Sequence, residues 1–198
     1  QGIGDKHIPL IHNVMNTDIV VGISDASSDA LNLLFNDATG RDYLVNRRKV
    51  PAELVAQLDN LGISGIANVL AAIKIARHFD LGADAAIMTV ATDSAALYGS
   101  ERTSYAARRY PGGIDAVHAG EIFGEHLAGQ RDDHLLDLTY AERQRIFNLG
   151  YYTWVEQQGV GVADFDSRRR PDFWQAIQAS VPEWDRLITE FNREAGTA

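Results

Sequence analysis

The sequence contains no cysteine. That excludes disulfides, thiolate catalysis and cysteine-ligated metals, and it fits a reducing compartment. Lysine is scarce: Lys6, Lys49 and Lys74 are the three in 198 residues. Covalent chemistry through an amine needs a lysine of depressed pKa in a sheltered pocket. Lys49 follows two arginines and Lys74 falls in a helical pattern, so none of the three is an evident candidate. Basic charge is low overall, with 18 Lys and Arg against 27 Asp and Glu and a net charge of −9. This argues against nucleic acid as a main partner. No apolar run approaches the roughly 20 residues of a membrane span, and no signal-peptide pattern opens the chain. A cytoplasmic protein with no membrane partner is expected. Hydrophobic content of 45% and charged content of 23% are ordinary for a globular domain with a real core.

What stands out is Gly62-Ile63-Ser64-Gly65-Ile66-Ala67-Asn68, a glycine-flanked turn carrying one hydroxyl. It opens into an apolar stretch, and residues 66, 69, 70 and 73 follow the i, i+3, i+4, i+7 template. Small and apolar residues fill much of the remaining circumference, which predicts a buried helix from Ile66 to His78. Gly82 is the expected stop. Residues 85–91 (Ala-Ala-Ile-Met-Thr-Val-Ala) form a continuous apolar run of strand length, followed by Thr92-Asp93-Ser94. Apolar on both faces, this run predicts a central strand of a mostly parallel sheet. In such α/β domains ligands sit beyond the carboxyl ends of the strands.

These residues carry a resemblance. Gly62-Ile63-Ser64 with Ala67-Asn68 resembles the G-I-S-S-G-A-N turn of cysteine synthases and the related cystathionine β-synthases. These are pyridoxal-phosphate (PLP) enzymes of the tryptophan-synthase-β fold. Thr92-Asp93-Ser94 resembles their P-D-S-G loop, and Gly2-Ile3-Gly4 with Ile8-Pro9 resembles their G-I-G-x-x-x-I-P segment. The three motifs occur in the family's order between residue 1 and about residue 102. There are departures: Gly65 replaces the second Ser, Ile66 replaces Gly, Asp5-Lys6-His7 replaces small residues, and Ala95 replaces the last Gly of the third motif. The resemblance implies a cofactor site built from Gly2, Ile3, Gly4, Gly62, Ser64, Thr92, Asp93 and Ser94. In it the Ser64 hydroxyl meets the pyridine nitrogen. Read from spacing alone, Ser64 could equally cap the helix, and 92–94 could be an Asp-containing turn.

Along the rest of the chain, Asp18 to Ile23 reads as a short buried strand. Ser24 is a good N-cap for a helix from Asp25 to Asn36. Residues 37–50 read as a polar connector, and Pro51 as the first residue of a helix buried through Leu54, Val55 and Leu58. The Tyr110-Pro111-Gly112-Gly113 break separates a helical, aromatic tail. Thr139 and Ser180 each begin a capping-box pattern, the first opening a helix that reaches toward Gln158. Arg168-Arg169-Arg170, set among Asp164, Asp166 and Asp172, reads as a locally neutralised loop. His118, Glu121, Glu125 and His126 fall at helical spacings but do not match the zinc-protease order. They read as a solvated helix face, and no metal is expected. Ser94 and Asp93 lack the G-x-S-x-G pattern of a hydrolase.

The expected architecture is therefore an α/β domain over residues 1–104, mostly a parallel sheet with flanking helices, followed by a helical extension over 105–198. The extension should pack on the core or a partner. Gln1 leads at once into a glycine motif, so a fragment or processed chain is expected. The family's Schiff-base lysine and phosphate loop lie upstream of that motif, so the chain alone should be inactive. The implied activity of the complete enzyme is transferase or lyase chemistry in amino-acid metabolism: β-replacement or β-elimination on a serine-like or O-acylated amino acid. The partners would be a missing N-terminal half or subunit, or a second copy in a homodimer. The alternative is a non-catalytic fragment or subunit that completes or docks onto a PLP enzyme.

Overall fold

A computed structural model describes residues 7–196. The expected α/β architecture is not what it shows. The structure is 65% helical, and the strands among the described residues are two short antiparallel ones, β1 (Ile19–Val21) and β2 (Leu135–Asp137). The apolar run 85–91 lies in neither: it has no regular secondary structure and is exposed, with Met88 at 95%. A strand needs a neighbour to take its backbone hydrogen bonds, and among the described residues none lies alongside this run.

The chain forms two compact units, Gln1–Val20 with Asp137–Ala198 and Val21–Leu136. The second unit is built on α1 (Asp25–Asn36). Its N-cap Ser24 accepts a hydrogen bond from the backbone N–H of Ala26, as the sequence predicts. Ala30, Leu31, Leu33, Leu34 and Phe35 are all buried, and so are Ser27, Ser28 and Asn32. It is α1, not the helix after Gly62, that is covered nearly all round. The supposed connector after it is α2 (Ala38–Asn46), capped by the Asp37 carboxylate on the N–H of Thr39. A Cβ on Gly40 would stand 2.1 Å from the backbone oxygen of Leu34, so only glycine permits this tight helix-to-helix corner.

The same core takes Leu44 from α2, Val55 from the short α3 (Ala52–Ala56), and Ile66 and Leu70 from α4 (Ile63–His78). Tyr105 of α5 (Gly99–Arg109) and Ala119 and Ile122 of α6 (Ala116–Phe123) complete it. Pro51 precedes α3 rather than starting it, and Leu54 is exposed. Helix α4 begins three residues earlier than the periodicity suggests. It ends at His78, as the sequence predicts, with Phe79 rather than a glycine as its C-cap, and buries one face through Ile63, Ile66, Leu70 and Lys74.

In the first unit, α7 (Tyr140–Tyr151) starts at the predicted capping box, with Glu142 returning to the N–H of Thr139, and continues as a π-helical segment to Gln157. Phe147 packs against Phe165 of α8 (Val162–Ser167), with Val14 beside them. Arg168 is not a solvated loop residue. It is buried, its guanidinium stacks 4.7 Å from the Phe165 ring centroid, and it donates to the carbonyl of Leu10 at 2.5 Å. Two helices, α9 (Pro171–Ala179) and α10 (Val181–Ala195), contribute no buried residue. Ser180 does not close the second predicted capping box: its hydroxyl donates back to Ala176, and Glu183 pairs with Arg186.

Candidate functional site

Four of the residues singled out in the sequence meet at the start of α4. Gly62 is its N-cap, with an N–H that donates to the carbonyl of Asp93 at 2.8 Å. This bond returns the chain from the exposed 85–91 run to the helix it left. Asn68, one turn further along, donates its side-chain amide to the carbonyl of Val90 at 3.0 Å. A short segment is thus tied across the first two turns of α4.

The tie brings side chains together. Ser64 Oγ lies 2.5 Å from Thr92 Oγ1 and 3.3 Å from Asp93 Oδ1. Thr92 Oγ1 in turn lies 3.4 Å from the same carboxylate oxygen. The other oxygen, Oδ2, accepts a short hydrogen bond from the Tyr98 hydroxyl. One carboxylate therefore gathers three hydroxyls. The Tyr98 bond raises that phenol's pKa, and burial adds to the rise. Gly62 is what makes room: a Cβ there would stand 2.1 Å from Asp93 Oδ1 and 2.8 Å from the Tyr98 ring.

Ser64 does not cap the helix, since no side-chain bond closes the N-terminus of α4. Its hydroxyl is instead part of the cluster, beside the first-turn amides that carry the helix's partial positive charge. Ser94 stands apart. It precedes the 3₁₀ turn Ala95–Tyr98 and faces a separate depression with Asn60 and Arg102. Gly2, Ile3 and Gly4 lie outside the described residues. Ile8 belongs to the first unit, where its carbonyl accepts from the Trp154 indole at 2.7 Å.

Tyr98 is the member that the sequence reading missed. It follows Asp93 by five residues, the reach of one short turn, and no motif marks it. His118 is engaged in a cap: its backbone N–H donates to the Asp115 carboxylate and its ring Nδ1 accepts from the backbone N–H of Asp115 at the start of α6, and the first of these bonds lowers the Asp115 pKa. Among the described residues no three His, Asp or Glu side chains are grouped to hold a metal ion.

PLP would present its pyridine nitrogen to this donor set. A pyridine nitrogen needs one hydrogen-bond donor. The hydroxyl chain Thr92–Ser64 ends on Asp93 through contacts of 3.3 and 3.4 Å, long and weak for O–H···O bonds. Ser64 can therefore redirect its proton while Tyr98 keeps the carboxylate satisfied, so these residues fit the ring end of the cofactor. Lysine is different. Lys74 Nζ is held 2.6 Å from the Asp133 carboxylate, and Lys49 lies outside the cluster, in the turn after α2. Comparison with protein-family models, curated proteins and solved structures finds no match to this chain.

Proposed function

We propose that this chain supplies the ring-binding end of a PLP site used for β-replacement or β-elimination on serine-like or O-acylated amino acids. One observation carries the proposal. The turn at 62–68 and the loop at 92–94, which resemble two cofactor-binding motifs of cysteine synthases, meet through Ser64, Thr92 and Asp93. The reading rests on this juxtaposition and not on the sheet architecture of those enzymes.

PLP acts as an electron sink, and the group at its ring nitrogen sets how deep the sink is. A neutral Ser64 hydroxyl donates a hydrogen bond without supplying the charge that would hold the nitrogen protonated. That favours expulsion of a β-substituent over transamination. Asp93, 3.3 Å behind Ser64, orients the hydroxyl while its second oxygen is occupied by Tyr98. The Schiff-base lysine comes from a partner segment or subunit, and a cytoplasmic setting goes with the reading.

The test is turnover by the chain combined with the lysine-bearing partner. O-acetylserine plus sulfide should give cysteine and acetate, and O-acetylserine alone should give pyruvate, ammonia and acetate. Predominant transamination would sink the assignment.

A second reading, a non-catalytic piece that docks on a PLP enzyme, is favoured by one feature. Ile87, Met88 and Val90 expose 40%, 95% and 66% of their surface along a run that lies in no strand, a template for pairing with another chain. The two readings part on PLP affinity: docking alone needs none.

A further inference from the structure

Away from Ser64, the second unit holds a serine whose hydroxyl is turned toward a histidine. Ser27 is the third residue of α1, and its Oγ lies 3.1 Å from Nδ1 of His126, 99 residues later. The neighbouring Ser28 behaves as helical serines commonly do and donates to a carbonyl one turn back, that of Asp25. Ser27 points away from its helix instead. His126 sits in a π-helical turn, Gly124–Ala128, that continues α6, and such π-turns recur at functional sites. Its side chain is 14% exposed. The Glu125 carboxylate stands 4.0 Å from Nε2, on the other side of the ring. A proton on Nε2, assigned from that carboxylate, leaves the Nδ1 lone pair facing Ser27. Burial lowers the His126 pKa, with Arg109 adding to the drop and Glu125 opposing it. The Ser27 and His126 side chains open on a cleft of about 430 Å³ that is also lined by Ser24, Lys74, Gln130 and Arg131.

We propose that Ser27 and His126 are a nucleophile and its general base, acting on small polar acyl esters. Ser27 Oγ attacks the carbonyl carbon and its proton passes to Nδ1 of His126. The ester C–O bond breaks, and the leaving alcohol takes that proton. Water, deprotonated by the same ring, then cleaves the acyl-serine to release the acid and restore the hydroxyl. Ser27 itself stands in the first turn of α1, at the positive end of the helix dipole. The cleft is distinct from the Ser64 cluster and needs no cofactor.

The experiment is labelling of the native chain with a fluorophosphonate, followed by peptide mapping, alongside p-nitrophenyl acetate hydrolysis. One label per chain is expected, on Ser27. His126→Gln should slow labelling at least tenfold while the protein still unfolds cooperatively, and Ser104→Ala, at an exposed serine of α5, should leave it unchanged. Ser27→Cys, which keeps a side chain of similar size, should be alkylated by iodoacetamide at a rate that also depends on His126. Absence of label, label on another serine, or equal rates with and without His126 would overturn the proposal and leave the pair as a tether between helices.

Discussion

Lys74 Nζ lies 2.6 Å from Oδ1 of Asp133 and 2.8 Å from its carbonyl, with the lysine side chain 5% exposed. A buried ammonium needs a hydrogen-bonding partner of opposite charge, and Asp133 engages this one. Reduction with borohydride in the presence of PLP should therefore leave Lys74 and Lys49 unlabelled at stoichiometric levels. A full equivalent of phosphopyridoxyl group on Lys74, found by peptide mapping, would show that the pair opens and that the chain carries its own Schiff-base lysine.

The same pair makes a stability prediction. The hydrogen bond from Lys74 is the main cause that lowers the Asp133 pKa. A carboxyl with a depressed folded pKa contributes stability that is present above its unfolded value, near 3.9, and lost as pH falls through the folded value. Denaturant unfolding of wild type should weaken on acidification below about pH 4, and Asp133→Ala should flatten that slope. At neutral pH the substitution should destabilise the fold, because it leaves the buried Lys74 ammonium with only the Asp133 backbone carbonyl.

Gly62→Ala should disturb the cluster at its base, because the new Cβ meets Asp93 and the Tyr98 ring. The expected loss is about 1–3 kcal/mol, as for other overpacked sites. Tyr98→Phe removes only the bond to Asp93 and should cost about 1 kcal/mol. Alkaline titration of Tyr98 should begin above the usual tyrosine range, and the stability tied to it should be full below the ordinary phenol pKa, near 10, and lost as pH rises through the raised folded value. Equal stability of Gly62→Ala and wild type would contradict the packing described.

How much of this could be read in advance differs by residue. Ser24 and Thr139 announced their helices, because a capping hydroxyl acts on amides two or three residues away and so is written locally. Helix α2 was missed because Thr39, Gly40 and Asp42 are weak helix formers; Asp37 and the packing of Leu44 override them. The run 85–91 misled because a strand is a relationship with a neighbour, and an apolar sequence cannot supply the neighbour. Ser64, Thr92 and Asp93 were legible through motif spacing, whereas Tyr98 and the burial of Arg168 between aromatic rings depend on contacts that no local pattern encodes.

The exposed run makes its own prediction. Apolar surface at Ile87, Met88 and Val90 should drive association. Sedimentation of wild type should show oligomers that Met88→Lys shifts toward monomer, with helical content unchanged. Identical sedimentation of the two proteins would mean that this segment joins nothing.

The central claim is that Ser64 holds the ring nitrogen of PLP. Fluorescence titration of the chain with PLP, in wild type and Ser64→Ala, measures it most directly. Saturable, non-covalent binding of one equivalent is expected, weakened about fivefold in the variant, as for loss of one net hydrogen bond of about 1 kcal/mol. No saturable binding by wild type, or equal affinity of the two proteins, would contradict the assignment.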